Sequence, residues 1–277
     1  MKWSFIVLSV LVSLNGQSDQ IFVGTRPLSM GGAFIAVADD ANAITWNSAG
    51  LPGLRRTEFT STYADLYAMN INQSYFGFVR PFSDRIALGI DWSNLGFEDS
   101  ELMYSENKLN FALGIQAHRK FSFGLTLKYL MRDMQLDGTS YGKSSGIGYD
   151  AGIIYQPLKT LKVGLGFYDL NGTQISYKDK ISEEVLGQAF KLGIAYMPIN
   201  GLTIAADYGD RVHAGIEYVL ASRIGFRAGI QKGLSNEKDM LIPSAGISLK
   251  FRSLFIEYGL ENHPYLEPTQ RLSLSLQ

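Results

Sequence analysis

From about Glu58 to the end of the chain, large apolar residues recur at every second position. In Leu161–Phe167 the odd positions are Leu161, Val163, Leu165 and Phe167, and the even ones are Lys or Gly. Phe190, Leu192, Ile194 and Tyr196 alternate with Ala189, Lys191, Gly193 and Ala195 in the same way, as do Leu272, Leu274 and Leu276 with Arg271, Ser273 and Ser275. Successive side chains of a strand point to opposite faces, so each segment carries one oily face and one polar or small face. Fourteen such segments follow one another, centred near Phe59, Phe76, Leu88, Leu113, Leu125, Ala151, Leu165, Ile194, Ile204, Ile216, Phe226, Ile247, Ile256 and Leu274. Most are roughly ten residues long, near the ~9–11 that cross a bilayer at a tilt and longer than strands of a soluble sandwich. A sheet edge in hydrocarbon has no water to satisfy it, so such a sheet must close on itself. The pattern predicts an all-β chain: a 14-stranded antiparallel transmembrane β-barrel over residues 57–277, with outer-membrane lipid as its solvent.

The connections point the same way. Short turns near Pro81–Asp84, Arg119-Lys120, Pro157–Thr160, Pro198–Gly201, Ala221-Ser222 and Arg252-Ser253 alternate with longer polar stretches at Asn94–Glu106, Asp133–Ser144, Asn171–Leu186, Lys232–Asp239 and Glu261–Thr269. Gly209-Asp210 breaks the alternation. Membrane barrels have short periplasmic turns and longer external loops, which places both termini in the periplasm. Tyr63, Tyr75, Trp92, Tyr129, Tyr155, Tyr168, Tyr196, Tyr208, Tyr218 and Tyr258 fall near strand ends, where an interfacial girdle is expected.

Residues 1–18 read as a secretory signal: Met1-Lys2, an apolar core from Phe5 to Leu14, then small and polar residues. The chain is therefore expected in the cell outer membrane of a Gram-negative-type bacterium. It has no Cys among its 277 residues, which excludes disulfides, thiolate metal sites and cysteine nucleophiles. A net charge of −1 argues against a nucleic-acid partner. His118, His213 and His263 are scattered without metal-ligand spacing or a nucleophile beside them, so neither a metal, a cofactor nor an enzymatic activity is expected. Gly164-Leu165-Gly166 and Gly146-Ile147-Gly148 precede no helix and read as strand glycines. Lys178, Lys180, Glu183 and Glu184 read as a solvated loop.

The polar phase of the strands faces the lumen. It carries Asp91, Lys128, Asp150, Lys162, Lys191, Asp207, Glu217, Arg223, Arg227, Lys250 and Glu257, both signs together, which suits mutual ion pairs better than an ion-selective ring. The same phase holds Gly89, Gly114, Gly124, Gly148, Gly164, Gly193, Gly215, Gly229, Gly246 and Gly259. A barrel this wide is not filled by its own side chains, and these glycines leave space along the wall. The candidate filler is residues 19–56, apolar and without period two, with a short helix expected over about 41–46. Asp39-Asp40 reads as the N-cap of that helix.

Within this segment, Arg26-Pro27-Leu28-Ser29-Met30-Gly31-Gly32-Ala33-Phe34, then Ala36-Val37-Ala38-Asp39-Asp40, then Trp46-Asn47-Ser48-Ala49-Gly50-Leu51 resembles the N-terminal signature of FadL-like outer-membrane barrels, closest to the branch with the PorV/PorQ proteins of type-nine secretion systems. The family usually has Asn-Pro-Ala where this chain has Asn47-Ser48-Ala49, and many outer-membrane chains end on an aromatic residue where this one ends Leu276-Gln277. The resemblance implies a hatch in the lumen, with Met30, Gly31, Gly32, Phe34, Asp39, Asp40, Trp46 and Asn47 as plug residues. It also implies one of two functions. FadL-type barrels take up hydrophobic small molecules passively, with a kink near the third strand as lateral exit; Asn94-Leu95-Gly96 ends the third strand as read here, and Asn94 and Gly96 mark either such an opening or a plain loop. PorV/PorQ-type barrels act through secretion-system proteins.

Overall fold

The computed structural model describes residues 23–176, 183–185, 187–234 and 240–277. The expected signal, 1–18, the first residues of the expected hatch and the loop residues Lys178 and Lys180 lie outside the described residues. The first described elements are two short helices, α1 (Thr25–Ser29) and α2 (Ala43–Trp46), and a 3-10 turn, Ser48–Gly53. Strands follow: β1 (Glu58–Leu66), β2 (Ile71–Ser83), β3 (Ile86–Glu98), β4 (Leu102–His118), β5 (Phe121–Leu136), β6 (Thr139–Leu158), β7 (Leu161–Tyr168), β8 (Gln174–Ser176) and β9 (Glu183–Val185). The series ends with β10 (Ala189–Tyr196), β11 (Leu202–Tyr208), β12 (Arg211–Leu220), β13 (Ile224–Gly233), β14 (Leu241–Phe251), β15 (Leu254–Glu261) and β16 (Thr269–Leu276). Among the described residues, fourteen strands close into one antiparallel barrel in sequence order, β7 joining β10, while β8 and β9 pair as a separate two-stranded antiparallel sheet. Closure is made by β1 against β16, with Phe59 opposite Leu276 and Asp65 opposite Gln270. All fourteen expected segments are barrel strands.

The oily phase faces out. Phe59, Phe76, Leu88, Phe111, Leu125, Phe190, Ile216, Phe226 and Leu274 are all exposed, whereas their neighbours Thr60, Ala87, Asp91, Ala112, Thr126 and Glu217 are buried. That is the surface hydrocarbon requires, with every ladder paired to the next and no edge left in the belt. The chain is a transmembrane β-barrel.

The strands are less uniform than their periodicity suggests. β4, β5 and β6 have 17, 16 and 20 residues, while β10 to β16 have between 7 and 11. Two expected loops are strand instead. Asn94–Glu106 narrows to a connection of residues 99–101, and Asp133–Ser144 to the turn Asp137-Gly138. Both turn residues have positive φ (49° and 72°), as a two-residue hairpin turn demands. The reason for the misreading is an inversion of the oily phase. In the upper parts of β1 to β5, the inward side chains are Leu66, Ile71, Leu95, Phe97, Leu102, Tyr104 and Leu136, which form a second apolar cluster. The outward ones include Asn72, Asn94, Glu98, Asn107 and Asp133, with Met103 an apolar exception. Above the bilayer, water replaces lipid outside and the apolar residues turn in.

The expected girdle is also revised. Tyr75 and Tyr168 point inward and are 1 % and 3 % exposed. Arg223 lies in the exposed β12–β13 turn instead of the lumen.

Candidate functional site: the filled interior

Residues 23–54 occupy the barrel interior. They carry most of the main core cluster, including Met30, Phe34, Ile35, Ile44, Trp46 and Leu51. A backbone this irregular has many unpaired N–H and C=O groups, and burying them unpaired is costly. The inward phase supplies the partners. Asp207 of β11 accepts from the N–H groups of Phe34 (2.7 Å) and Ile35 (2.8 Å). Ser244 Oγ accepts from Gly31 N at 3.0 Å. His213 Nδ1 lies 2.6 Å from Gly31 O; a carbonyl only accepts, so the ring proton is on Nδ1. Glu58 accepts from Ala41 N at 3.0 Å, and the Tyr75 hydroxyl donates to Ala41 O at 3.3 Å. Thr126 donates to Ile44 O at 3.3 Å, Tyr168 donates to Trp46 O, and Thr25 meets Ser273 side chain to side chain at 2.6 Å. Thr45 donates to Asp91 (2.8 Å), whose other oxygen accepts from Asn110 (2.8 Å).

Where no side chain reaches in, the wall offers glycine. A Cβ on Gly114 would lie 2.6 Å from Ser48 O, on Gly124 2.1 Å from Ala49 N, and on Gly152 2.0 Å from Asn47 Oδ1. On Gly164 it would lie 2.5 Å from Ile35 O, on Gly215 2.3 Å from Met30 O, and on Gly229 2.0 Å from Gly31 N. Real carbon atoms do not approach that closely, so these positions admit only glycine while the segment stays in place. Nine of the ten expected glycines touch residues 23–54 in this way; Gly148 instead meets Asp169 and Thr173. Taken together, all fourteen barrel strands contact the segment.

Charge is concentrated around Arg26. Its guanidinium makes two parallel bonds to Glu217 (2.8 and 2.7 Å) and a third nitrogen contact to Asp39 (2.6 Å) and Asp40 (2.9 Å). Glu217 also accepts from Arg227 Nε at 2.6 Å, and Arg227 pairs with Glu257 at 2.9 Å. The guanidinium carbon stands 5.3 Å from the Phe34 ring centre. Burial raises the Asp40 carboxyl above its ordinary range, against the downward pull of Arg26. Asp40 is not the N-cap expected of it. Its side chain accepts from Asn42 N at 2.9 Å, Asn42 itself stands at the cap, and the helix begins at Ala43. A cleft of about 180 Å³ opens beside these charges at the short-turn end.

The remaining sequence-predicted residues fall as follows. Asp91, Asp207, Glu217, Arg227 and Glu257 face the segment or its charge network. Lys128 and Asp150 pair at 2.8 Å, and Lys128 also holds Asp169 beyond β7 at 2.9 Å. Lys191 pairs with Asp210 at 3.3 Å. Asn47 donates to Ile35 O at 2.8 Å and accepts from Ala49 N at 3.2 Å, and the Trp46 indole donates to Val23 O at 3.0 Å. Gly32 has φ +79° and backs onto His213. Asn94 and Gly96 are not at a strand end: both lie within β3, paired to β2 through Ser74 and Asn72 and to β4 through Asn107 and Ser105. Arg26, His213, Tyr75, Tyr168 and Gly152 were not among the expected site residues. Four of the five lie in the inward phase of their strands, which is the signal that finds them.

The chain as a whole superposes on several solved structures. The CymD monoaromatic hydrocarbon channel superposes with a TM-score of 0.71 at 15 % identity, covering 92 % of this chain and 96 % of that one. This chain has the fold of that channel. The Ralstonia pickettii toluene transporter TbuX gives 0.69 at 13 % identity over 92 % and 98 %, and the Pseudomonas putida toluene transporter TodX 0.66 at 12 % over 91 % and 96 %. A Pseudomonas aeruginosa FadL homologue matches at 0.66 and 12 % identity, over 91 % and 97 %. No protein-family model and no curated protein sequence matches the chain.

Proposed function

We propose that this barrel is an outer-membrane channel for passive uptake of hydrophobic small molecules, with residues 1–18 as export signal, 19–56 as hatch and 57–277 as the spanning wall. Both barrel ends, Glu58 and Leu276, lie at the short-turn end, which is assigned to the periplasm. The observation that carries the reading is the filled interior. Residues 23–54 are held by side-chain hydrogen bonds, one charge network, apolar packing and glycine contacts, all non-covalent, and join the barrel at one point, ahead of β1. Such a filler can shift without unfolding the wall. The apolar cluster of Leu66, Leu95, Phe97, Leu102 and Tyr104 packs inside the opposite mouth and would have to part to admit a molecule of its own apolar chemistry, and the fold shared with CymD, TbuX and TodX adds support. The ligand class is the chemistry of that cluster: small, apolar, with little to hydrogen-bond.

A second reading, action through secretion-system proteins, rests on the run Arg26–Leu51 and on how completely that run fills the barrel. Vesicle uptake of a labelled fatty acid and of a labelled aromatic hydrocarbon separates the two. The channel reading expects uptake, raised when residues 21–56 are deleted; no uptake by either protein contradicts it.

A further inference from the structure

Charged residues outside the membrane belt are sorted by end. At the short-turn end, Arg55 and Arg56 precede β1, Arg80 lies on the outer face of β2 three residues before its end, Arg85 sits in the β2–β3 turn, and Arg119 and Lys120 form the β4–β5 turn. Further round, Lys159, Arg223 and Arg252 sit in the β6–β7, β12–β13 and β14–β15 turns. The acid among these turns is Asp84, and the β10–β11 turn, residues 197–201, carries no charge; Asp39, Asp40 and Glu58 also lie at this end but are engaged by Arg26, Asn42, Ala41 and Gln277. At the other end the balance reverses: Glu98, Asp99, Glu101, Asp137, Glu261 and Glu267 outnumber Lys143, Arg211 and Lys232 among the described residues.

A second feature marks what the basic rim meets. Its cations stand beside outward apolar side chains. The Arg80 guanidinium is 5.6 Å from the Phe82 ring and that of Arg252 is 5.5 Å from the Phe251 ring. Phe82 and Phe251 are 62 % and 70 % exposed, and Leu158 beside Lys159 is exposed as well. An apolar group reaching down and a cation reaching up is the geometry of the headgroup layer, where long basic side chains snorkel and aromatic rings anchor. The basic residues also run around almost the whole circumference, whereas a docked protein would need them on one arc.

We propose that the short-turn rim binds anionic glycerophospholipid headgroups, with the phosphate between turn cations and the acyl chains against Phe82, Phe251 and Leu158. The collar then fixes which leaflet the short turns occupy, because the acidic opposite rim repels the same lipid. The proposal needs the barrel to span a bilayer and is independent of uptake, so its failure leaves the channel reading standing.

The test is lipid retention by the full-length protein in neutral detergent, read by native mass spectrometry with phosphatidylglycerol or phosphatidylcholine added. Each basic residue near an anionic lipid surface is worth about fivefold in partition. The expected result is several bound phosphatidylglycerol molecules, a preference of at least about fivefold over phosphatidylcholine, loss of that preference at about 1 M salt, and no displacement by inorganic phosphate. The variant Arg85→Gln/Arg119→Gln/Lys120→Gln/Arg252→Gln should lose most of the preference, with heat-modifiable gel migration reporting an intact barrel. Equal retention of the two lipids, or a preference unchanged in the variant, overturns the proposal. Tighter binding of soluble polyglutamate than of phosphatidylglycerol also overturns it, and assigns the collar to an acidic protein.

Discussion

Glu217 accepts hydrogen bonds from two arginines, Arg26 of the interior segment and Arg227 of the wall, with 4 % of its side chain exposed. Removing its charge leaves both guanidinium groups short of a buried partner. Arg26 keeps Asp39 and Asp40 and Arg227 keeps Glu257, so Glu217→Gln is expected to destabilise the protein by about 1–3 kcal/mol, measured as the denaturant midpoint in micelles. An effect below about 1 kcal/mol would show that solvent screens the network. The glycine contacts make an independent prediction. Gly124→Val and Gly229→Val place carbon against the backbone of Ala49 and Gly31. Overpacking of this kind costs about 1–3 kcal/mol. The cheaper escape is for the segment to leave, so both variants should gain proteolytic cleavage within residues 23–56 while the barrel survives. Unchanged protection would mean that the wall yields instead. At these positions the sequence was partly legible. Asp91, Asp207, Glu217, Arg227 and Glu257 stand out as charges in an otherwise small, polar phase. Tyr75, Tyr168 and His213 share that phase, but a tyrosine near a strand end looks the same whether it faces the headgroups or the lumen, and an isolated histidine announces no partner.

The strands were legible because lipid outside imposes one hydrophobic phase over about ten residues. Their upper extensions were not, since leaving the bilayer reverses the phase and a reversed phase over six or seven residues reads as a polar loop. Asn94–Glu98 and Leu102–Glu106 are the clearest instance, each alternating correctly but with Leu95, Phe97, Leu102 and Tyr104 turned inward. The inversion can be tested by paired substitutions on one strand. Leu113 and Ser105 both face outward on β4, the first in the oily belt and the second above it. Leu113→Arg should cost about 2–4 kcal/mol of stability in vesicles, as a charge on the lipid face at depth does. Ser105→Arg should stay within about 0.5 kcal/mol. Equal penalties would place the bilayer boundary elsewhere.

Barrel and filler depend on each other. Fourteen strands enclose more space than their own side chains occupy, and the segment ahead of β1 supplies the missing core, with Phe34, Ile35, Ile44 and Trp46 as its apolar centre. Without the wall's Asp207, Glu217 and glycine positions the segment loses the partners of its backbone and of Arg26; without the segment those inward groups lose theirs. Uptake through such a barrel requires the segment to give way. The natural absence of cysteine permits a clean lock. Thr25 Oγ1 and Ser273 Oγ lie 2.6 Å apart, so cysteines at these positions would bring their sulfur atoms close together. In vesicles carrying Thr25→Cys/Ser273→Cys, uptake of a labelled aromatic hydrocarbon should fall to the level of protein-free vesicles when the pair is oxidised, and return on reduction. Uptake at the same rate in both redox states would contradict a filler that must move.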